Sequence, residues 1–321
     1  MNAKELRIVF MGTPEFAVPS LRALVGNGYQ VVGVVTTPDK PAGRGQQLHE
    51  CAVKIAAQEL GLPILQPEKL KDPAFIEAIQ AWKPDLGVVI AFRMMPEMLW
   101  AMPRFGTFNL HASLLPQYRG AAPINWAIIN GETETGVTTF LLNHEIDKGG
   151  IIGQIRLPIQ PADTIGTLYD KLMQIGTGLV IETVDKIAAG DAHPIDQLHI
   201  DEDTLKPAPK IFKENCGIDW SWQGECIVDF VRGLSPYPAA WTTLQKEGTA
   251  ATTAKIFAAH FDSASQEQPC GSVESDNRTF IKIACTDGWI SIDEMQMAGK
   301  KRLTTKEILL GLRNINDYTF Q

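Results

Sequence analysis

Leu6 to Thr37 reads LRIVFMGTPEFAVPSLRALVGNGYQVVGVVTT, and this stretch decides the fold class. Its two ends, LRIVFM (6–11) and QVVGVVTT (30–37), are short runs rich in Val and Ile, the composition of a strand buried on both faces. Between them FAVPSLRALVGNG (16–28) sets apolar residues at helical spacing and stops on a glycine. Strand, helix and strand in about 30 residues make a crossover unit, which joins parallel strands.

The same alternation runs on. PILQP (63–67), DLGVVIAF (85–92) and GTFNLHA (106–112) read as further strands, with CAVKIAAQELG (51–61) and DPAFIEAIQAW (72–82) as helices. The order predicts an α/β fold with a mostly parallel, Rossmann-like sheet. TGVTTFLLN (135–143) and IIGQIRLPI (151–159) read as two more strands flanking a turn at Asp147-Lys148-Gly149-Gly150, and residues 164–190 as one long closing helix. Residues 191–210 are polar, proline-bearing and aperiodic, which predicts an interdomain linker. Beyond it, a helical pattern (225–235), short strand candidates (239–244, 253–259, 279–285, 288–297) and a helix near 304–314 predict a small β-barrel. The expected division is a catalytic domain over 1–190, a linker over 191–210 and an OB-like barrel domain over 211–321.

A chain of 321 residues fits two domains better than one, and 45% hydrophobic with 21% charged residues excludes disordered and collagen-like classes. The net charge of −8 gives no general attraction to a polyanion, so a nucleic-acid partner needs a local basic patch. The amino-terminal apolar run ends at Gly12 and Pro14, too short for a signal peptide or a membrane span. Five scattered cysteines without a C-x-x-C pair argue against a disulfide framework and a zinc site, and point to a reducing cytoplasm.

In an open parallel sheet ligands bind beyond the carboxyl ends of the strands. After the first strand only Gly12 is present, without a G-x-G-x-x-G or Walker A pattern, so an NAD or ATP site of the usual type is not expected; Gly12 reads as a tight turn, the alternative being a helix amino terminus that meets the phosphate of another ligand. After the strand at 106–112, alternation puts Asn109 and His111 on one face. An amide donor beside an imidazole suits acyl transfer, in which oxyanion charge develops and a proton moves. The alternative is a structural Asn and a core His satisfied by backbone groups.

The following residues, Ser113-Leu114-Leu115-Pro116-Gln117-Tyr118-Arg119-Gly120 and then Ala121-Ala122-Pro123-Ile124-Asn125-Trp126-Ala127, resemble the SLLPxYRGxxPxxWA signature of the 10-formyltetrahydrofolate-dependent formyltransferases. That resemblance implies that Asn109 and His111 are catalytic with Asp147 as the third member, although Lys-Gly-Gly stands here where the family has Thr-Gly-Asp after the aspartate. It implies 10-formyltetrahydrofolate as formyl donor, bound by Ser113, Leu114, Leu115 and Pro116 and by Phe92 and Met94, and no metal. Phe92-Arg93-Met94-Met95-Pro96 replaces the YGLILP of relatives; without a folate, Met94 and Met95 read as packing residues, and His144 as an incidental polar neighbour.

Thr36-Thr37-Pro38-Asp39-Lys40-Pro41-Ala42-Gly43-Arg44-Gly45 resembles the TQPDRPAGRG loop of the family branch that formylates methionine carried by initiator tRNA. Ile218-Asp219-Trp220 and residues 232–241, RGLSPYPAAW, resemble the INW…RGLNPWPGAW stretch of the same branch. Read as residues alone, the 36–45 loop is a solvated Ω-loop. The resemblance implies tRNA contacts from Lys40 and Arg44, with Gln46 and Gln47 in place of the branch's lysines, and from Lys300, Lys301 and Arg302 on the barrel. From residue 207 onward 12 basic residues face 14 acidic ones, so the barrel is not basic overall and a three-residue charge run by itself is a solvated turn. The implied activity is formyl transfer from 10-formyltetrahydrofolate to the α-amino group of methionyl initiator tRNA by a cytoplasmic monomer with no membrane partner. The alternatives are a formyltransferase of a small or sugar amine, a formyltetrahydrofolate hydrolase, or a silent folate sensor or RNA-binding module.

Overall fold

The computed structural model describes residues 2–42, 47–197 and 202–321. Arg44 and Gln46, expected in the tRNA-facing loop, lie outside the described residues. The chain forms β1 (Arg7–Gly12), α1 (Val18–Gly26), β2 (Gln30–Val35), β3 (Lys40–Ala42), β4 (Gln47–His49), α2 (Ala52–Glu59), β5 (Ile64–Leu65) and α3 (Pro73–Ala81). Then follow β6 (Leu86–Ile90), α4 (Glu97–Trp100), β7 (Thr107–His111), α5 (Pro123–Ile129), β8 (Glu134–Leu141), β9 (Ile151–Pro158) and α6 (Ile165–Ala189).

The first sheet runs β5-β2-β1-β6-β7-β8-β9. β1 pairs in parallel with β2 and β6, and β6 with β7, whereas β7 and β8 are antiparallel. Ile8, Val9, Phe10 and Met11 of β1 are all buried, which is why that run is apolar without alternation. Strand order reverses between β1 and β6, where such sheets leave a crevice at their carboxyl ends. Gly12 closes that point: a Cβ there would lie 2.9 Å from Ala17 Cβ and 3.0 Å from the Ile90 carbonyl. The tight-turn reading of Gly12 therefore has a steric basis.

Helix α3 begins at Pro73, with Asp72 as N-cap accepting from the Ala74 amide at 2.9 Å. Its Phe75 and Ile79 bury against Val9, Met11, Val35 and Val89. On the opposite face α6 comes so close that a Cβ on Gly176 would lie 2.8 Å from Leu110. Leu110 thus faces α6, and alternation turns Asn109 and His111 the other way.

The remaining elements are α7 (Gly224–Leu234), β10 (Ala240–Lys246), β11 (Thr252–Asp262), β12 (Val273–Ser275), β13 (Ile281–Cys285), β14 (Gly288–Met297), β15 (Leu303–Thr304), α8 (Thr305–Gly311) and β16 (Tyr318–Phe320). They make an antiparallel sheet in the order β12-β13-β14-β11-β10-β16, with β15 on β14. A bridge between Ser272 and Thr319 brings the ends together into a nearly closed barrel. Ile227, Phe230, Val231 and Leu234 of α7 follow helical spacing and enter one core with Ile256, Ile283, Ile290, Ile292 and Met295. A capping box between Thr304 and Glu307 starts α8.

Two compact units result: Met1–Gly120, Thr135–Leu157 and Tyr169–Pro207 form one, and Ala121–Glu134, Pro158–Leu168 and Ala208–Gln321 the other. Helix α5 belongs with the second because it packs on α7. Asn125 Nδ2 donates to the Gly233 carbonyl at 2.8 Å, and a Cβ on Gly233 would lie 2.7 Å from Ile129. Part of the 191–210 segment is also tied down, since Ile151 and Ile195 exchange backbone hydrogen bonds of 2.8 Å in both directions. Among the described residues no helix is long and apolar enough to cross a membrane.

Candidate active site

Asn109 and His111 stand on β7, opposite Phe140 and Thr138 of β8. Asn109 Oδ1 is buried and has no hydrogen-bond partner among the described residues. Thr13 Oγ1, beside Gly12 at the end of β1, is buried and unpartnered in the same way. A buried polar group without a partner loses about 1–3 kcal/mol, so these atoms are positioned for a polar ligand to satisfy.

His111 is buried, and its Nε2–H donates to the Tyr118 carbonyl at 2.8 Å. A carbonyl can only accept, so the proton sits on Nε2 and the second nitrogen, Nδ1, is left to face Asp147. Asp147 Oδ2 lies 3.8 Å from Nδ1, and the Gly120 amide donates to that same oxygen at 3.0 Å. Two residues near this contact have left-handed backbone, Tyr118 (φ 60) and Asp147 (φ 55). The structure therefore brings Asn109 and His111 onto one strand face and puts Asp147 beside His111.

The Lys-Gly-Gly that follows Asp147 has its own geometry. A Cβ on Gly149 would lie 1.6 Å from the Leu141 carbonyl, so no side chain fits there. Lys148 turns away to pair with Glu145 at 2.9 Å and with Glu202. Its hydrogen bonds to Glu202 and then Glu145 raise the pKa of the ammonium, and the Lys148 contact lowers that of Glu202. His144 is exposed, 3.5 Å from Glu97 and edge-on to Trp100.

Of the residues expected to hold folate, Ser113 is fully buried and its hydroxyl donates to the Gln117 carbonyl at 2.7 Å. The Ser113–Leu115 turn hangs on Thr138, which donates to the Ser113 carbonyl at 2.6 Å and accepts from the Leu115 amide at 3.1 Å. Gln154 of β9 donates to the Leu115 carbonyl at 2.8 Å. Leu115 is buried, while Leu114 and Pro116 are half-buried. Phe92 and Met95 pack on the Val89 cluster, whereas Met94 is 75% exposed and so is not a packing residue. Arg93 reaches back to the carbonyls of Glu68, at 2.9 Å, and Pro67, fastening residues 92–96 beside the strand ends. Among the described residues no group of three or more metal-binding side chains is gathered.

Lys40 is exposed at the start of β3, and Lys300 and Lys301 are exposed on the turn after β14. Arg302 differs: its guanidinium bonds Glu294 and lies 4.4 Å from the Phe257 ring centroid. Sequence reasoning missed the nearby Lys213 and Lys255, which line a shallow cavity of about 410 Å³ with Trp241 and Gly299. It also missed Gln197, a buried amide bonded to the Asp147 turn, for which the polar segment around it offered no pattern.

The family model for formyl transferase matches residues 6–184, and that for the formyl transferase C-terminal domain matches residues 210–313. The chain is 54% identical over 321 residues to a methionyl-tRNA formyltransferase of Bacteroides thetaiotaomicron, covering 99% of each. It is 56% identical over 322 residues to the enzyme of that name in Parabacteroides distasonis, again covering 99% of each. Among solved structures, the sugar 3N-formyl transferase WlaRD shares the fold with a TM-score of 0.64 at 20% identity, over 92% of this chain and 99% of that one. HypX from Aquifex aeolicus, solved with tetrahydrofolic acid, does so with a TM-score of 0.61 at 20% identity, over 95% of this chain and 47% of that one. With both family models in place and a likeness that runs from end to end through catalytic sheet and barrel, the chain belongs to the methionyl-tRNA formyltransferase family.

Proposed function

We propose that this chain transfers the formyl group of 10-formyltetrahydrofolate to the α-amino group of methionine esterified to initiator tRNA, in the cytoplasm. The observation that carries the reading is the Asn109, His111 and Asp147 constellation within a chain like methionyl-tRNA formyltransferases over its whole length. An α-amino group has a reference pKa of roughly 7.7–8.0, so much of the enzyme's work is to position an amine that is already partly free base. As the new C–N bond forms, the amine gives up a proton and the carbonyl oxygen gains negative charge; as the old C–N bond breaks, the folate nitrogen takes a proton.

The unpaired end of the Asn109 amide is the group offered to that oxygen, because rotating the amide presents an N–H where the orphaned oxygen now points. His111 Nδ1 is the ring nitrogen with no partner at bonding distance, so it is the one that takes the amine proton. Asp147 then stabilises the positive imidazole and holds its orientation. The buried, unpartnered polar atoms and the Arg93-fastened segment at 92–96 fit a polar co-substrate at the strand ends, and the family resemblance assigns Phe92 and Met94 of that segment to the pterin. The tRNA is held by Lys40 and Arg44 on the first unit and by Lys300 and Lys301, helped by Lys213 and Lys255, on the barrel.

The test is direct: incubate the protein with 10-formyltetrahydrofolate and charged initiator tRNA, and measure formylmethionine. Formate released without transfer indicates a hydrolase, and transfer only to a free sugar amine indicates the small-amine alternative.

A further inference from the structure

Gln197 ties together the two loops that flank His111. Its Nε2 donates to the backbone oxygens of Asp147, at 3.0 Å, and Gly149, at 2.8 Å, while its Oε1 accepts from Arg119 Nη2 at 2.8 Å. Both amide hydrogens and the oxygen are therefore engaged on a side chain that is 7% exposed. One loop, 118–120, supplies the carbonyl that accepts from His111 and the amide that donates to Asp147. The other, 147–149, carries the carboxylate. The contacts close a ring from His111 through Tyr118, Arg119, Gln197 and Asp147 back to His111.

This ring bears on chemistry because the Asp147 turn has little of its own to hold it: across it run only a long backbone bond from the Lys148 amide to the Glu145 carbonyl, 3.5 Å, and the Lys148–Glu145 ion pair. Asp147 has φ 55, a left-handed conformation that Asp tolerates but that remains less favourable than extended or helical backbone, so contacts around it help to keep it. Gln197 fastens the carbonyls on both sides of Lys148, so the turn cannot relax without losing two hydrogen bonds to one donor group. Gln197 is in turn fixed by the Ile195 to Ile151 bridge two residues upstream. A loose Asp147 turn would move the carboxylate relative to Nδ1, and displacement by about 1 Å at a reacting centre can lower a rate by about 100-fold.

We infer that Gln197 is a positioning residue that sets the spacing of the Asp147 carboxylate from His111. The inference rests on the formyl-transfer reading of Asn109, His111 and Asp147. Two full-length variants test it: Gln197→Met keeps the volume and removes every polar contact, and Gln197→Glu keeps an oxygen for Arg119 but turns an acceptor toward two carbonyls.

Three readouts are taken together with Tm. Hydrogen exchange at the Gly120 amide, which bonds the Asp147 carboxylate, is expected to rise about tenfold in both variants, the loss of one hydrogen bond of ordinary net strength. Turnover is expected to fall about 100-fold, with KM for folate and for charged tRNA within about twofold of wild type. In an Asp147→Asn background Gln197→Met should add no further loss of kcat, because its effect passes through the carboxylate. A lowered Tm with unchanged Gly120 exchange and unchanged kcat would overturn the inference, as would a fully additive loss in the double variant. If wild type transfers no formyl group while Gly120 exchange still rises in both variants, the proposed function fails and the hold of Gln197 on Asp147 stands.

Discussion

Asp147 Oδ2 stands 3.8 Å from His111 Nδ1 and takes its hydrogen bond from the Gly120 amide instead. That spacing exceeds a hydrogen bond, and it is what a bare imidazole nitrogen facing a carboxylate requires. A proton arriving at Nδ1 changes repulsion to attraction. In the proposed reaction the carboxylate would therefore act during transfer more than before it.

Asp147→Asn should separate these roles. Asn tolerates left-handed backbone, and its oxygen can still accept from Gly120, so the turn should keep its shape while the charge is lost. The expected outcome is a large fall in kcat with folate binding nearly unchanged. Folate titration and single-turnover transfer on the same variant check it: weak binding with an intact chemical step would reassign Asp147 to ligand binding.

Asn109→Ala and His111→Ala should both lower turnover by about 10²–10³, or roughly 2.7–4 kcal/mol, the usual effect of losing one oxyanion or proton-transfer group. Their stabilities should differ. Asn109 Oδ1 makes no internal hydrogen bond, so its removal should leave the unfolding free energy nearly unchanged. Removing His111 takes away its hydrogen bond to the Tyr118 carbonyl and should destabilise by about 0.5–1.5 kcal/mol. Denaturant titration beside kinetics would expose the error if both variants stayed near wild-type turnover.

The parallel sheet was legible because its strands are buried on both faces and leave long apolar runs: Ile8 to Met11 and Leu86 to Ile90 have no polar interruption. Several of the shortest elements were not, because β3, β4, β12, β15, β16, α4 and α5 are too short to show a period. At the site, alternation alone was enough to put Asn109 and His111 on one face. The contact of Asp147 with His111 was implied only by resemblance, since it depends on a left-handed turn and a distant glutamine that no local pattern marks. Arg302 shows the opposite failure: a basic run looks uniform in sequence, yet Glu294 and Phe257 engage only its last member.

That difference yields a prediction for the barrel. Lys300 and Lys301 form no ion pair with any described residue, so each is available to a phosphate, and replacing either with Ala should raise the tRNA KM with little change in kcat. Each lost phosphate contact should shallow the slope of log K against log salt by about 0.7–0.9. Arg302→Ala should change the slope less and stability more, by up to about 1 kcal/mol for its exposed ion pair and ring contact. Binding of initiator tRNA across a salt series, with Tm for each variant, decides it. Equal slopes for all three variants and wild type would remove the barrel from the tRNA contact.

The last prediction concerns the segment between residues 39 and 50, whose two ends are joined by one lysine. Lys54 on α2 bonds Asp39 and, at 2.8 Å, Glu50, and Gln66 donates to the other Asp39 oxygen at 2.8 Å. The Lys54 hydrogen bond is the main cause that lowers the pKa of both Asp39 and Glu50, and the two carboxylates raise that of Lys54. Carboxyl groups whose folded pKa is depressed contribute stability above their ordinary values of about 3.9–4.3, and that contribution is lost as pH falls through the lower folded values. A lysine whose pKa is raised contributes below its ordinary value of about 10.4 and loses this only at higher pH. The clamp should therefore be complete from about pH 5 to 10 and open in acid. Hydrogen exchange on the β3 and β4 amides, corrected for the intrinsic pH dependence, should rise below about pH 4 while the β1 and β6 amides stay protected. Lys54→Met should produce the same local loosening at pH 7. If this segment meets the tRNA through Lys40 and Arg44, the variant should also raise the tRNA KM while leaving folate KM unchanged. Protection that is equal in wild type and variant at both pH values would show that the segment holds its shape without Lys54.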